Sequence, residues 1–488
     1  MAEQAPGGAT ATGGFPAAVE LPGGETAERR LGWRRVLLLV SVIGGIAVCA
    51  VAVLVWLGFN IGPDALAIGL VSAILPVPIL VACFLWLDRY EPEPVKYLIF
   101  CFCWGAFVAT LISLAVNNAA AWLFERQGLS LAFVAVFVAP FIEETTKALG
   151  PVLLAWRRRR EFSGITDGIV YCGLSATGFA MVENILYLGG HGYAANADEY
   201  GPASGAQAVI AVFIVRIFLS GFAHPLFTAM AGVGLGFAAR SADRRTQWAA
   251  PVAGLLGAMM LHGAWNFAAM ITQQTRQPLI FAYHYFAVMV PIFLAVVGLA
   301  IWLRSWEGRL TERVLPVYVR TGWFSPPEIA ALGTLSRRHA ARAWARRVAG
   351  PGGFRAMRAY QFAATELALL RDRMQRGLDR RPADVRRSLD EERQLLGAVD
   401  AYRRVFSGRD PQAPPVRWDG QRYWLSFPDG RRRPVDPPAE PVVPLPMVLS
   451  APAPGPGGYP APGSGGYPAP GPGGGWHGPH PPPVAPWR

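Results

Sequence analysis

The chain has 488 residues, 52% hydrophobic and only 16% charged, with positive mean hydropathy, a balance that excludes an ordinary soluble domain. The formal charge of +12 could suit nucleic acid. Here, however, the apolar residues fall in runs of about 20, so the positive charge belongs to loops at an anionic lipid surface, and no nucleic-acid partner is expected.

Residues 1–32 are rich in Gly, Ala and Pro without helical period and read as a disordered tail. The first apolar run, about 36–59, follows Arg34 and Arg35. It is too long for a signal-peptide core and lacks a small-residue cleavage site, so it is expected to remain as a membrane helix. Runs of spanning length follow at about 63–87, 95–123, 129–155, 164–189, 207–239, 248–271 and 279–303. The expected fold is an all-α polytopic membrane protein with about eight transmembrane helices, its core over 33–305.

Alternate connections hold Arg34/Arg35, Arg89/Lys96, Arg157 to Arg160, Arg240/Arg244/Arg245 and Arg304/Arg309. The opposite connections hold Arg126, Arg276 and the acidic pair Asp198 and Glu199. Positive charge marks the cytoplasmic side, which places both termini in the cytoplasm of a cell-membrane protein, as an even number of spans requires. The turn Asp88-Arg89-Tyr90-Glu91-Pro92-Glu93-Pro94 reads by itself as an interfacial loop with snorkelling side chains. Cys49, Cys83, Cys101, Cys103 and Cys172 all lie in apolar runs without a CxxC pair and read as small packing residues. Gly164/Gly168 and Gly232/Gly236 are GxxxG pairs suited to close helix approach.

Beyond the last run, 306–436 is Arg-rich. Its helical periodicity over about 325–407 predicts amphipathic helices, and aromatic–polar alternation with Asp-Gly turns over about 416–434 suggests a β-hairpin. Residues 437–488 are a Pro/Gly-rich low-complexity tail.

The informative residues are the polar ones inside the apolar runs. Each ionised group at a helix centre costs about 2.5–3.5 kcal/mol on insertion scales. At ~1.5 Å rise per residue, Glu143 and Glu144 fall near the middle of the fourth run, His224 of the sixth and His262 of the seventh. Asn266, at i+4 from His262, shares its face. Lys147, at i+4 from Glu143, reads as its neutralising partner. Asp167 enters at one end of the fifth run as an interfacial carboxylate or N-cap. Glu183-Asn184 lies toward the other end, and Arg216 is placed to pair with Glu183. A lone membrane histidine is often only packed or hydrogen-bonded, but Glu143, Glu144, His224, His262 and Asn266 at one depth make a candidate site.

A carboxylate in a low-dielectric pocket can act as general base on water, with imidazole and amide groups orienting the water or stabilising an oxyanion: a site for peptide or amide hydrolysis. Two His and a Glu are equally a ligand set for catalytic zinc, although the HExxH helix motif is absent. Membrane Glu and His also build proton relays, so a proton-coupled transporter is the alternative; no clear internal repeat supports it. A non-enzymatic membrane scaffold is a further alternative, but it leaves the polar cluster unexplained.

Asp88-Arg89-Tyr90-Glu91-Pro92-Glu93-Pro94, Glu143-Glu144-x-x-Lys147, Gly178-Phe179-Ala180-x-x-Glu183-Asn184, His224 and His262-x-x-x-Asn266 together resemble the PrsW family of intramembrane proteases over about residues 70–305. That family is similar in core motifs to the CAAX-processing and bacteriocin-processing membrane endopeptidases. The resemblance implies cleavage of a membrane-anchored protein substrate, a site-1-type cut in an anti-sigma factor that starts sigma-factor release. It implies Glu143 and Glu144 as catalytic carboxylates, with His224 and His262 completing the site. By the related endopeptidases, Glu143 activates water with His224, while His262 and Asn266 form the oxyanion hole. PrsW proteins are often labelled metalloproteases, so the cofactor expectation is none or one zinc ion, held, if present, by Glu143, Glu144, His224 and His262. The glutamate reading is the one preferred from the sequence.

Overall fold

The computed structural model describes residues 33–88, 93–158, 162, 164–319, 321–379, 381–407, 409, 416–426, 432–436 and 448–449. The tail expected over 1–32, Arg89 to Pro92 of the charged turn, Arg159, Arg160 and nearly all of 437–488 lie outside them.

A lipid environment leaves backbone groups no partner but their own chain, so each apolar run closes into helix. These are α1 (Trp33–Ile61), α2 (Pro63–Leu87, interrupted at Leu75 and Pro76), α3 (Val95–Arg126), α4 (131–157), α5 (Ile165–Tyr200), α6 (Pro202–Arg240), α7 (Arg244–Thr275) and α8 (Pro278–Trp306, whose last helical part runs on to Val314). Seven of them are long and apolar enough to cross a membrane; α4 is not among the seven. It is the helix that carries Glu143, Glu144 and Lys147, and those charges lower its apolar character. The chain is an all-α, multi-pass membrane protein. The connections are short and use left-handed backbone where the chain reverses, as at Gly201 (φ 87°) before Pro202.

The bundle is wrapped on α5: 83% of its apolar window is buried, against 6% for α1. Small residues make that burial possible. A Cβ on Gly168 would collide with the Gly232 carbonyl of α6, and a Cβ on Gly232 with the Gly168 carbonyl, so the two GxxxG segments cross backbone to backbone. Elsewhere large apolar side chains stay exposed, among them Val40, Ile43, Val48 and Phe218, as lipid-facing surfaces require.

Two features were not foreseen from the apolar runs. The helices contain wide π-type turns at Trp104–Ala109, Val134–Val138, Leu186–Ala194, Ile214–Leu219 and Tyr285–Met289. In addition, α6 is not a continuous span: it breaks at Ser220, Gly221 and Phe222 and restarts as Ala223–Arg240, with His224 and Pro225 in its first turn. Proline suits that place because the first-turn N–H groups have no helical partner.

The charged turn does more than sit at an interface. Asp88 and Glu93 are buried: the Asp88 carboxylate accepts from the Glu93 backbone N–H at 2.7 Å, and Tyr171 of α5 donates to Glu93 at 2.5 Å. All five cysteines are free, and Cys101 and Cys172 are buried.

After α8, α9 (Pro326–Leu332), α10 (Leu335–Gln375) and α11 (Pro382–Phe406) enclose a core that includes Phe324, Trp344, Tyr360, Leu367 and Phe406. Ser325 and Glu328 cap α9 reciprocally. Gly350 (φ 65°) kinks α10 ahead of Pro351. Buried Arg403 donates to Glu328 at 2.6 Å and to the Trp323 carbonyl at 2.5 Å. Arg240, at the end of α6, reaches Asp372 of α10 at 3.2 Å. A separate unit holds β1 (Val416–Trp418), β2 (Tyr423–Ser426), β3 (Arg432–Val435) and β4 (Val448–Leu449) in the order β3-β2-β1-β4; β1–β2 and β2–β3 are antiparallel and β1–β4 parallel.

Candidate active site

Helical spacing places the α4 residues. Glu143 and Glu144 lie three and four residues after Pro140, and Lys147 lies one turn on, so its ammonium folds back onto both carboxylates. It is 3.4 Å from Glu143 Oε2 and 2.9 Å from Glu144 Oε1. The closer partner is therefore Glu144 at i+3, not Glu143 at i+4 as the sequence suggested. Lys147 is fully buried and also lies 4.0 Å above the Phe179 ring of α5.

The two histidines meet this group from α6 and α7. His262 Nδ1 lies 2.9 Å from Glu144 Oε1, and His224 Nε2 lies 2.7 Å from Glu183 Oε2 of α5. A carboxylate only accepts, so these nitrogens carry the protons. His224 Nδ1 is then an acceptor and receives the Lys147 ammonium at 3.2 Å. His262 Nε2 is likewise left with a lone pair, facing Glu143 Oε2 at 3.9 Å, too far for a direct hydrogen bond. The imidazoles stand edge to face at 5.2 Å, and Phe227 stacks on His262 at 5.2 Å.

The two carboxylates differ in setting. Glu144 is 0% exposed, and its oxygens accept from Lys147, His262 and Thr228, the last at 2.7 Å. Glu143 keeps 8% exposure; its Oε1 accepts from Asn117 of α3 at 3.2 Å. Glu183 joins the cluster through His224 and also accepts from Arg216 at 2.8 Å, the ion pair expected from the sequence. Three carboxylates thus face two fixed cations, Lys147 and Arg216.

Not every expected residue enters. Asn266 donates its amide nitrogen to the Ala135 carbonyl at 2.8 Å, in the wide turn of α4, so that nitrogen is engaged outside the cluster. Asp167 caps the start of α5, accepting from the Gly164 N–H at 3.1 Å. Asn184 is buried beside His224. Two contacts were missed from the sequence. Thr228 lies at i+4 from His224 and so shares its face, which was a usable signal. Asn117 is half of an Asn117-Asn118 pair inside an apolar run, and it too could have been read.

Glu143, His224 and His262 each offer a ligand atom, all within 4.8 Å of one another. In kind the set fits zinc, and each imidazole has its other nitrogen held by a carboxylate, as metal-ligating histidines do. Lys147 would have to release His224 Nδ1 for the third donor to be free.

Residues 93–296 match the profile of the family described as PrsW family intramembrane metalloprotease. Over this stretch the membrane core is similar to the PrsW family. The protein Protease PrsW of Clostridioides difficile (strain 630) is 29% identical over 199 residues, 40% of this chain and 77% of that protein. Protease PrsW of Bacillus subtilis (strain 168) is 29% identical over 200 residues, covering 40% and 80%, and that of Geobacillus kaustophilus (strain HTA426) 28% over 208, covering 42% and 81%. No solved structure matches. The whole cluster, from Asn117 to His262, lies inside the matched stretch.

Proposed function

We propose that this protein is a glutamate-dependent intramembrane endopeptidase acting on a membrane-anchored, single-span protein. The observation that carries the reading is the pair of acceptors, Glu143 Oε2 and His262 Nε2, held 3.9 Å apart at the more exposed of the two adjacent carboxylates. A water between them can donate one O–H to each. Glu143 takes a proton as the water oxygen bonds to the scissile carbonyl carbon. The carbon–nitrogen bond then breaks as protonated Glu143 returns that proton to the leaving amine. Glu144 touches no reactant; it fixes the His262 tautomer through Nδ1 and stabilises positive charge on the ring. Lys147 supports both carboxylates in ionised form within a buried site. A zinc ion held by Glu143, His224 and His262 would instead polarise the carbonyl or activate the water. The glutamate reading is favoured because Lys147 already engages the third donor.

The substrate class follows from the site's depth among apolar helices: a peptide bond of a membrane helix that unwinds locally. An anti-sigma factor, the substrate implied by the resemblance, belongs to this class. The test is proteolysis by the purified full chain in liposomes against a panel of single-span membrane proteins. Wild type is expected to cleave, while Glu143→Ala and His262→Ala insert and fold but do not. Retained cleavage in both variants would overturn the reading.

A further inference from the structure

The glutamate reading leaves one need unmet: a tetrahedral intermediate carries an oxyanion, and it requires donors preorganised around it. The amide nitrogen of Asn266 is engaged by Ala135, and His262 Nε2 is an acceptor. The break in α6 offers another place. Beside it lies a cavity of about 10 Å³, lined among others by Asn184, Arg216, Ser220, Gly221, His224 and Trp265. That is room for about one oxygen-sized group.

Two donor groups in its wall are unspent. Asn184 is 7% exposed and makes no hydrogen bond among the described residues. Arg216 gives one terminal nitrogen to Glu183 at 2.8 Å, while its Nε is buried without a partner. Buried donors are rarely left unpaired unless something comes to occupy them. The Ser220 hydroxyl is already used, donating to the Val215 carbonyl at 2.8 Å. The third contribution is the backbone. The half-helix Ala223–Arg240 begins at this cavity and brings its positive dipole end to the same wall, although the Ala223 N–H already bonds the Ser220 carbonyl at 2.9 Å and Pro225 has no N–H to give.

Resting on the glutamate reading, we propose that this cavity is the oxyanion pocket, with the Asn184 amide and Arg216 Nε as catalytic donors to the scissile carbonyl oxygen. His224 lies between the cavity and the reacting groups, since it lines the former and its ligand atom is within 4.8 Å of those of Glu143 and His262. A carbonyl oxygen seated in the cavity leaves its carbon toward the water held by Glu143. Arg216 then has two tasks, neutralising Glu183 through one nitrogen and the oxyanion through another. The break in α6 gains a purpose, because a continuous helix would present no positive dipole end there.

The experiment uses the full chain in liposomes and a single-span substrate that wild type cleaves. Asn184→Ala and the near-isosteric Asn184→Asp are compared with wild type, with Arg216→Lys, which keeps a cation for Glu183 but lacks Nε–H, and with Glu143→Gln. An oxyanion donor acts only in the transition state, so Asn184→Ala is expected to lower kcat by about 10²–10³-fold with KM unchanged. Asn184→Asp should fall at least as far, and Arg216→Lys should lower kcat in the same KM-independent way, all with wild-type thermal unfolding. Asn184→Asp with kcat within about threefold of wild type, or a rise in KM at unchanged kcat, would overturn the proposal. If Glu143→Gln is inactive and both Asn184 variants are active, only the pocket is wrong; if Glu143→Gln still cleaves, the glutamate reading fails and the pocket with it.

Discussion

At the scale of single residues, burial separates two neighbours that sequence treats alike. Glu143 and Glu144 are adjacent, yet one keeps a little exposure and a weakly held oxygen while the other is sealed by three donors. Thr228→Val removes one of those donors from a buried carboxylate. A hydrogen bond to a charged group contributes about 1.5–3 kcal/mol, so the variant should unfold at lower temperature in detergent. It should also cleave more slowly, because Glu144 then holds His262 less firmly. Lys147→Met is expected to be more damaging. Removing one partner of a buried ion pair costs about 3–5 kcal/mol, and here two carboxylates lose it. Loss of folded, detergent-soluble protein, measured by size-exclusion chromatography, is the expected outcome; a well-behaved and active variant would contradict this account of Lys147. Glu143, Glu144, His224 and His262 were readable as a group because polar residues in an apolar run are costly and so stand out. Thr228 was less visible, since a threonine costs little there, and the use of Asn266 on a backbone carbonyl depends on a wide turn in another helix that no local pattern announces.

At the scale of elements, the site depends on how closely α5 and α6 approach. Gly168 and Gly232 meet backbone to backbone, so Gly232→Ala must push α6, and with it His224 and Thr228, away from Glu183 and Glu144. Cleavage should be abolished or strongly reduced in that variant. Gly298→Ala on α8 is the matched control: a Cβ there meets nothing within 4 Å, and activity should be unchanged. Equal activity of the two variants, read in the same liposome assay, would show that close approach does not position the site. The apolar runs foretold the helices well because bilayer thickness fixes their length. The break at Ser220 to Phe222 escaped, because that stretch is small and apolar enough to pass as ordinary membrane helix; only the tertiary structure shows that the chain interrupts itself there. Pro225 was the one local hint, being compatible with a helix start as well as a kink.

At the scale of the molecule, α4 decides the topology. It is too charged to pass as a span by composition, but it lies among helices that do pass, and its charges are met by Phe179 of α5, His224 of α6 and His262 of α7. If it crosses, the spans number eight, and the positive connections place both termini in the cytoplasm. Fusions of a cytoplasm-active fluorescent protein to either end should both fluoresce; fluorescence at one end alone would mean that α4 does not cross. The region after α8 packs its own core and touches the bundle through Arg240 and Asp372, outside the part that matches PrsW.

In the proposed mechanism, Glu143 and His262 activate the hydrolytic water without a metal. The most direct measurement is single-turnover cleavage of one single-span substrate in liposomes by wild type and Glu143→Gln, each with and without a zinc chelator. Cleavage by wild type that is unaffected by chelator and at least about 10³-fold slower in Glu143→Gln is the predicted result. Cleavage abolished by chelator and restored by added zinc would contradict it and assign the same three donors to a metal.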